Sequence, residues 1–181
     1  ITYGDWSSDV CSSDLAARYE IHPQGVGAGL EVGVRMFGAH EFASGIWGVT
    51  GRAYYSVADV WPLNPKGEIL LGLKIENHRA VANVEASVAV PGIGFAEWGP
   101  GDMGMSYGFP DNHDEPFPKI MENARSRVFA AARAAGIAFL NTVREDDVEM
   151  RIDEGVRICS GPHGEVAAEK GRRYTKRTMP W

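Results

Sequence analysis

No stretch of this sequence approaches the roughly 20 uninterrupted apolar residues that a membrane-spanning helix needs. The N-terminus also lacks the basic-then-apolar layout of a secretory signal, so a cytoplasmic protein is the expectation. Basic charge is scarce as well. The formal net charge is −6, which argues against a nucleic-acid surface, since that requires a concentrated basic face. The exception is the end of the chain, where Lys170, Arg172, Arg173, Lys176 and Arg177 cluster; they read as a solvated tail, from about residue 165, or as a subunit contact. What is abundant is apolar material, 44% hydrophobic and 10% aromatic over 181 residues, enough for one sizeable core.

The first fifteen residues do not fit that picture. Asp5-Trp6-Ser7-Ser8-Asp9-Val10-Cys11-Ser12-Ser13-Asp14-Leu15 has neither helical nor strand periodicity and resembles the conceptual translation of a sequencing-library adapter. Residues 1–15 are therefore read as a foreign leader and 16–181 as the domain, whose own N-terminal part is expected to be missing. Removing Asp5, Asp9 and Asp14 brings the formal charge from −6 to −3. Removing Cys11 leaves Cys159, which lies in the apolar run Val156-Arg157-Ile158-Cys159 and reads as a buried strand thiol.

From Gly67 onward, short apolar runs alternate with longer helical patterns, the rhythm of βα units on a parallel sheet. Ile69 to Glu76 reads as a strand buried on both faces until its charged end. Arg79 to Val90 reads as a helix with Val81, Val84, Val88 and Ala89 inward, stopped by Pro91-Gly92. Ile93 to Trp98 is the next strand, after which Gly99-Pro100-Gly101-Asp102 turns the chain into a loop lasting to about Pro118. Lys119 to Ala135 carries Ile120, Ala124, Val128, Ala131 and Ala135 at helical spacing before Gly136. Ile137 to Leu140, Glu145 to Glu154 and Val156 to Ser160 complete the series as strand, helix and strand. Such a series closes either as a doubly wound sheet or as part of an eight-stranded barrel. Upstream, Gly25, Gly27 and Gly29 form a tight backbone turn rather than a nucleotide site, because no hydrophobic strand leads into them. The aromatics Phe37, Phe42, Trp47, Tyr54, Tyr55 and Trp61 are expected to pack within the domain or at a subunit contact.

In βα architectures chemistry gathers at the C-terminal ends of the strands. Glu76 and Asp102 end consecutive strands there. Without histidine or cysteine partners they are hard oxygen ligands, suited to Mg²⁺ or Mn²⁺ with water or substrate completing the shell. Read singly, Glu76 is a strand-end carboxylate paired with Arg79 or Lys74, and Asp102 is an N-cap or turn residue. His78 reads as a helix-start or surface residue, and His113, in Asp111-Asn112-His113-Asp114-Glu115, as part of a long solvated loop.

Leu73-Lys74-Ile75-Glu76, then Val90-Pro91-Gly92-Ile93 and Trp98-Gly99-Pro100-Gly101-Asp102-Met103, resemble the signature of the class II pyruvate aldolase and citrate lyase beta family. The resemblance extends from Ala17-Arg18-Tyr19 to about Gly161. It implies the C-terminal part of a TIM (β/α)8 barrel, about strands 4 to 8. Glu76 and Asp102 then correspond to the two metal-binding carboxylates, at the ends of strands five and six. Gly99, Pro100, Gly101 and Asp102 form the substrate loop, with the amides of Gly101 and Asp102 receiving the carboxylate of pyruvate. The implied reaction is the cleavage or formation of 4-hydroxy-2-oxo acids through a pyruvate enolate, in a homo-oligomer that is typically a hexamer.

Three departures stand out. The family's catalytic histidine and substrate arginine lie on earlier strands that this chain does not contain, so no catalytic residue is assigned and the chain as written is expected to be inactive. The arginine usual between glycines after the Arg-Tyr strand is missing from Gly25 to Gly29. Lys74 stands where glutamine is common; sharing a strand face with Glu76, it reads as that carboxylate's structural partner rather than a Schiff-base lysine. The alternatives are a lyase acting on a coenzyme A thioester, which calls for a basic groove beside the two carboxylates, and a non-catalytic oligomerising barrel.

Overall fold

Arg18 and Asp59 are both fully buried, and the beginning of the chain is organised around their contact. The computed structural model describes residues 15–38, 40–161 and 164–177. The leader, apart from Leu15, and the last residues of the basic tail thus lie outside the described residues. The chain divides into two compact units: the residues up to Leu73 with Ala82–Phe95, and Lys74–Val81 with the residues from Ala96 onward.

In the first unit the Asp59 carboxylate accepts from Arg18 Nε at 3.0 Å, from its neighbour Val60 N at 2.9 Å and from Asn64 Nδ2 at 3.0 Å. Arg18 Nη2 donates to the carbonyls of His22 and Gln24. A buried ion pair survives desolvation best when its remaining donors and acceptors find partners; here the main chain supplies three of them, while among the described residues Arg18 Nη1 has none. The glycine-rich segment folds as the expected tight turn, with Val26–Ala28 in a 3₁₀ turn between Gly25 and Gly29, both at positive φ. Two helices follow, α1 (His40–Trp47) and α2 (Gly51–Val57). The second starts where Thr50 Oγ1 accepts from Ala53 N at 3.2 Å, an N-cap. Of the aromatics, Tyr54 is buried with Tyr19, whereas Phe37 is 82% and Phe42 76% exposed. Only part of the aromatic stretch therefore packs inward.

The long strand expected at 69–76 is two strands. Ile69–Leu70 (β2) pairs in parallel with Val60–Trp61 (β1), and Gly72–Ile75 (β3) belongs to a different sheet. The change of partner falls at Leu71, whose carbonyl accepts from Gly94 N at 2.8 Å. Nor is the segment buried on both faces: Leu70 is 47% exposed and only Ile75 is fully inside, because β3 is an edge strand of its sheet. The following helix is also divided, into α3 (His78–Ala82) and α4 (Val84–Val88), where Asn83 leaves helical geometry at φ −112° and ψ 13°. Val81, Val84 and Val88 are inward as expected, and Ala89, beyond the break in phase, is exposed.

In order along the chain come Phe95–Trp98 (β4), Pro100–Tyr107 (α5), Lys119–Ala135 (α6), Ala138–Thr142 (β5), Val148–Glu154 (α7), Val156–Ser160 (β6) and Gly164–Thr175 (α8). The sheet order β3-β4-β5-β6 follows the chain, and β5 pairs with β6 in parallel. The loop expected after Gly99 is instead helix α5, since proline at its first position fixes a helical φ and lacks a donor that would be unpaired there anyway. Helix α6 has the expected bounds, and Gly136 at φ 71° ends it. Its buried face is Met121, Ala124, Arg125, Val128, Ala131 and Ala132, while Ile120 and Ala135 are exposed. Arg125 can lie inward because Glu154 accepts both of its terminal nitrogens, at 2.6 and 2.7 Å. Cys159 is exposed, not buried: among the described residues β6 is the last strand of its sheet. The basic tail forms α8, tied to α7 by Tyr174, whose hydroxyl donates to Asp153, and to the turn before α7 by Lys170, whose ammonium donates to the Glu145 carbonyl. Among the described residues no helix is long and apolar enough to cross a membrane.

Candidate active site

Glu76 is the first residue beyond β3, and the chain turns there because Asn77 caps α3: its Oδ1 accepts from Arg79 N at 3.1 Å and Ala80 N at 2.9 Å. The turn leaves the Glu76 side chain 23% exposed, with Oε1 held 2.8 Å from Lys74 Nζ. Lys74 is the partner expected from the shared strand face, but it is an exposed one, with its side chain 60% accessible.

On its other side Glu76 meets main chain. A Cβ placed on Gly99 would stand 2.3 Å from Glu76 Oε1, closer than any side chain can come. A side chain at this position would have to push the Glu76 carboxylate aside, and the conflict is steric, since the φ of −97° is open to any residue. Gly101, by contrast, faces open space. Pro100, Gly101 and Asp102 are the first three residues of α5. The N–H groups of Gly101 and Asp102 thus belong to the set that a helix leaves without internal partners, and they favour an anion. The start of α3 is fastened to α5 by Ser106, whose Oγ accepts from His78 N at 2.9 Å and lies 2.7 Å from His78 Nδ1. His78 is thus an exposed helix-start residue as expected.

The Lys74 ammonium is held above the usual lysine range first by its hydrogen bond to Glu76, then by the charges of Glu76 and Glu97, with desolvation opposing and Asp102 adding least. Glu97, half-buried in β4, was not singled out from the sequence. Its one signal was a charge at an interior position of an otherwise apolar strand. Gly25 to Gly29 holds no arginine; Arg35, between Gly33 and Gly38, bridges to Tyr19, its guanidinium 4.5 Å above that ring.

Glu76 and Asp102 carry the oxygen donors that suit a hard divalent cation, and Gly101, beside Asp102, has open space in front of it. Among the described residues no group of three or more histidine, cysteine, aspartate or glutamate side chains is placed to hold a metal ion. His113 is 64% exposed, 3.2 Å from Asp114, and borders a cavity of about 50 Å³ that Trp98, Pro100, Asn141 and Arg144 also line. A larger groove of about 610 Å³ runs along α7, β6 and α8, with Arg151, Arg157, Arg172 and Arg177 in its walls. It shares no residue with the carboxylate site.

The HpcH/HpaI aldolase/citrate lyase family model matches residues 14–161, most of the chain. The chain belongs to this family. Among curated proteins similar to this HpcH/HpaI-family chain is the 2-keto-3-deoxy-L-rhamnonate aldolase of Klebsiella pneumoniae subsp. pneumoniae, 30% identical over 90 residues, which are 49% of this chain and 34% of that protein. The protein of the same name from Salmonella paratyphi B is 32% identical over 89 residues, 49% of this chain and 33% of its own. The match thus spans about a third of the length of these relatives. Among solved structures, an HpcH/HpaI aldolase/citrate lyase family protein from Burkholderia cenocepacia superposes with a TM-score of 0.65 at 21% identity, over 94% of this chain and 60% of that one. The fold is the α/β fold of these HpcH/HpaI proteins, which favours the barrel over the doubly wound sheet.

Proposed function

We propose that the chain carries the metal-binding and pyruvate-holding half of a class II aldolase site, acting on 4-hydroxy-2-oxo acids. In this reading Glu76 and Asp102 are the metal ligands, and the catalytic histidine and substrate arginine implied by the sequence resemblance come from residues outside 16–181. The observation that carries the reading is the packing of Glu76 against the bare backbone of Gly99, directly before the helix that bears Asp102. Glu76 and Asp102 would hold Mg²⁺ or Mn²⁺, which when bound would supply Lewis acidity toward a 2-oxo acid. The N–H groups of Gly101 and Asp102 bind and orient the pyruvate carboxylate, and Pro100 fixes the turn that aims them. Gly99 keeps Glu76 close, and Lys74 steadies its carboxylate. The names of the curated relatives, 2-keto-3-deoxy-L-rhamnonate aldolase, favour a small 2-oxo acid and an aldehyde over a thioester.

The test is Mn²⁺ binding to this chain, followed by metal-dependent release of pyruvate from a 4-hydroxy-2-oxo acid by the reading frame extended upstream. Glu76→Gln and Asp102→Asn are each expected to abolish both. Binding and turnover that persist in either variant refute the assignment of that ligand. An extended protein that binds Mn²⁺ through these residues yet releases no pyruvate refutes the aldolase.

A further inference from the structure

We propose that Lys74 is a built-in counter-cation that occupies Glu76 while no metal is bound, and that it couples capture of the metal to arrival of a 2-oxo acid anion. The proposal rests on the reading of Glu76 and Asp102 as metal ligands.

The ammonium lies 2.8 Å from Glu76 Oε1, and that oxygen is also the atom a Cβ on Gly99 would meet first. Glu76 thus lies between the Gly99 backbone on one side and a movable cation on the other. Lys74 is the movable part, because its side chain is 60% exposed and finds solvent whenever it swings away. A divalent cation that takes the same oxygen brings two positive charges against the ammonium, and Lys74 must yield. Two consequences follow from charge alone. Metal affinity is lower than it would be with a neutral side chain at position 74. An anion arriving beside the N-terminus of α5 gives the displaced ammonium a new partner, so metal and anion each strengthen the binding of the other by the same factor.

Mn²⁺ is titrated into the chain, Lys74→Gln and Lys74→Arg, with free Mn²⁺ followed by electron paramagnetic resonance, in the absence and presence of excess pyruvate. Without pyruvate Lys74→Gln is expected to bind Mn²⁺ roughly tenfold tighter than the parent chain, the effect of removing one charge from a partly solvated site. Lys74→Arg, which keeps the charge, is expected to stay near the parent value. Pyruvate is expected to tighten Mn²⁺ binding several-fold in the parent chain and in Lys74→Arg, and much less in Lys74→Gln. Equal or weaker Mn²⁺ binding by Lys74→Gln overturns the proposal, as does a pyruvate effect that survives this substitution unchanged. Mn²⁺ binding that is lost in Glu76→Gln but indifferent to Lys74→Gln overturns the coupling alone. Absence of binding in every variant overturns the metal reading together with it.

Discussion

Gly99→Ala separates the fold from the site by a single methyl group. The added Cβ would meet Glu76 Oε1 at 2.3 Å, so about 1 Å of movement is needed to reach ordinary contact, and the question is which atoms give way. The Gly99 backbone is fixed by its place between β4 and α5, where its carbonyl accepts from Met103 N at 3.2 Å. The Glu76 side chain is 23% exposed and has solvent to move into. The carboxylate therefore swings out, and the cost to stability stays below the ~1–3 kcal/mol typical of overpacking a closed core. The cost to the site is larger: a ligand displaced by about 1 Å from its working position loses on the order of a hundredfold in function. Urea denaturation followed by circular dichroism and Mn²⁺ titration of the same preparation make the comparison. The expected result is a stability loss under about 1 kcal/mol with Mn²⁺ affinity reduced at least tenfold. Gly101→Ala is the control, since its Cβ meets nothing within 4 Å and alanine in a helix gains roughly 0.5–1 kcal/mol over glycine. A Gly99→Ala chain that unfolds in the native buffer, or one that binds Mn²⁺ as tightly as the parent, refutes the reasoning.

Other expectations concern the buried charges. Asp59→Asn leaves the Arg18 guanidinium without its countercharge at a position with no solvent access, and a loss of about 3–5 kcal/mol in urea unfolding is expected; a loss under 1 kcal/mol would mean that the main-chain acceptors suffice. Glu154→Gln breaks the two-pronged pair with Arg125, which is 8% exposed, and a loss of about 3 kcal/mol is expected. The Glu154 carboxyl is held below the usual carboxylate range, first by its hydrogen bond to Arg125, with burial opposing. Its contribution is accordingly complete above the ordinary carboxylate pKa and is lost as pH falls through the depressed folded value. Unfolding midpoints measured from about pH 7 down to about pH 3 should fall more steeply for the parent chain than for Glu154→Gln; parallel curves would remove Glu154 from the account. Cys159, being exposed, should react with a thiol reagent in the folded state of a Cys11→Ser background at the rate seen in urea, and protection of more than about tenfold would place it inside after all.

Helix α6 was legible in the sequence to the residue because helical period, length and the terminal glycine all agreed. Its inward face was less so. Arg125 and Glu154 are far apart in sequence, and nothing in the local pattern says that one will neutralise the other, so the apolar residues Ile120 and Ala135 were placed inside in place of Met121 and Arg125. Helix α5 was missed because two glycines and a proline weigh against helix everywhere except at its first turn, where the proline is favourable. The split of the 69–76 strand depends on which neighbour each half pairs with, a tertiary fact. At the candidate site the strand-end carboxylates and the Gly-Pro-Gly turn were visible, since charge and backbone freedom interrupt an apolar pattern. Glu97 was not, because a single charge within a strand looks the same whether it faces a site or solvent. The exposure of Lys74 could not be read from strand alternation, which fixes the face of a residue and not what covers it.

Lys74, Glu76, Glu97, Gly99 and Asp102 lie on one short, continuous stretch of chain. The entropy lost in bringing chain segments together grows with the length of the loop between them, so this cluster forms at little cost and without first pairing remote parts of the sequence. The Arg125–Glu154 pair, 29 residues apart, closes a loop of similar length and forms at a similar cost. The same economy lets substitutions within a single exon-sized segment retune charge and ligand set together, leaving the rest of the scaffold untouched.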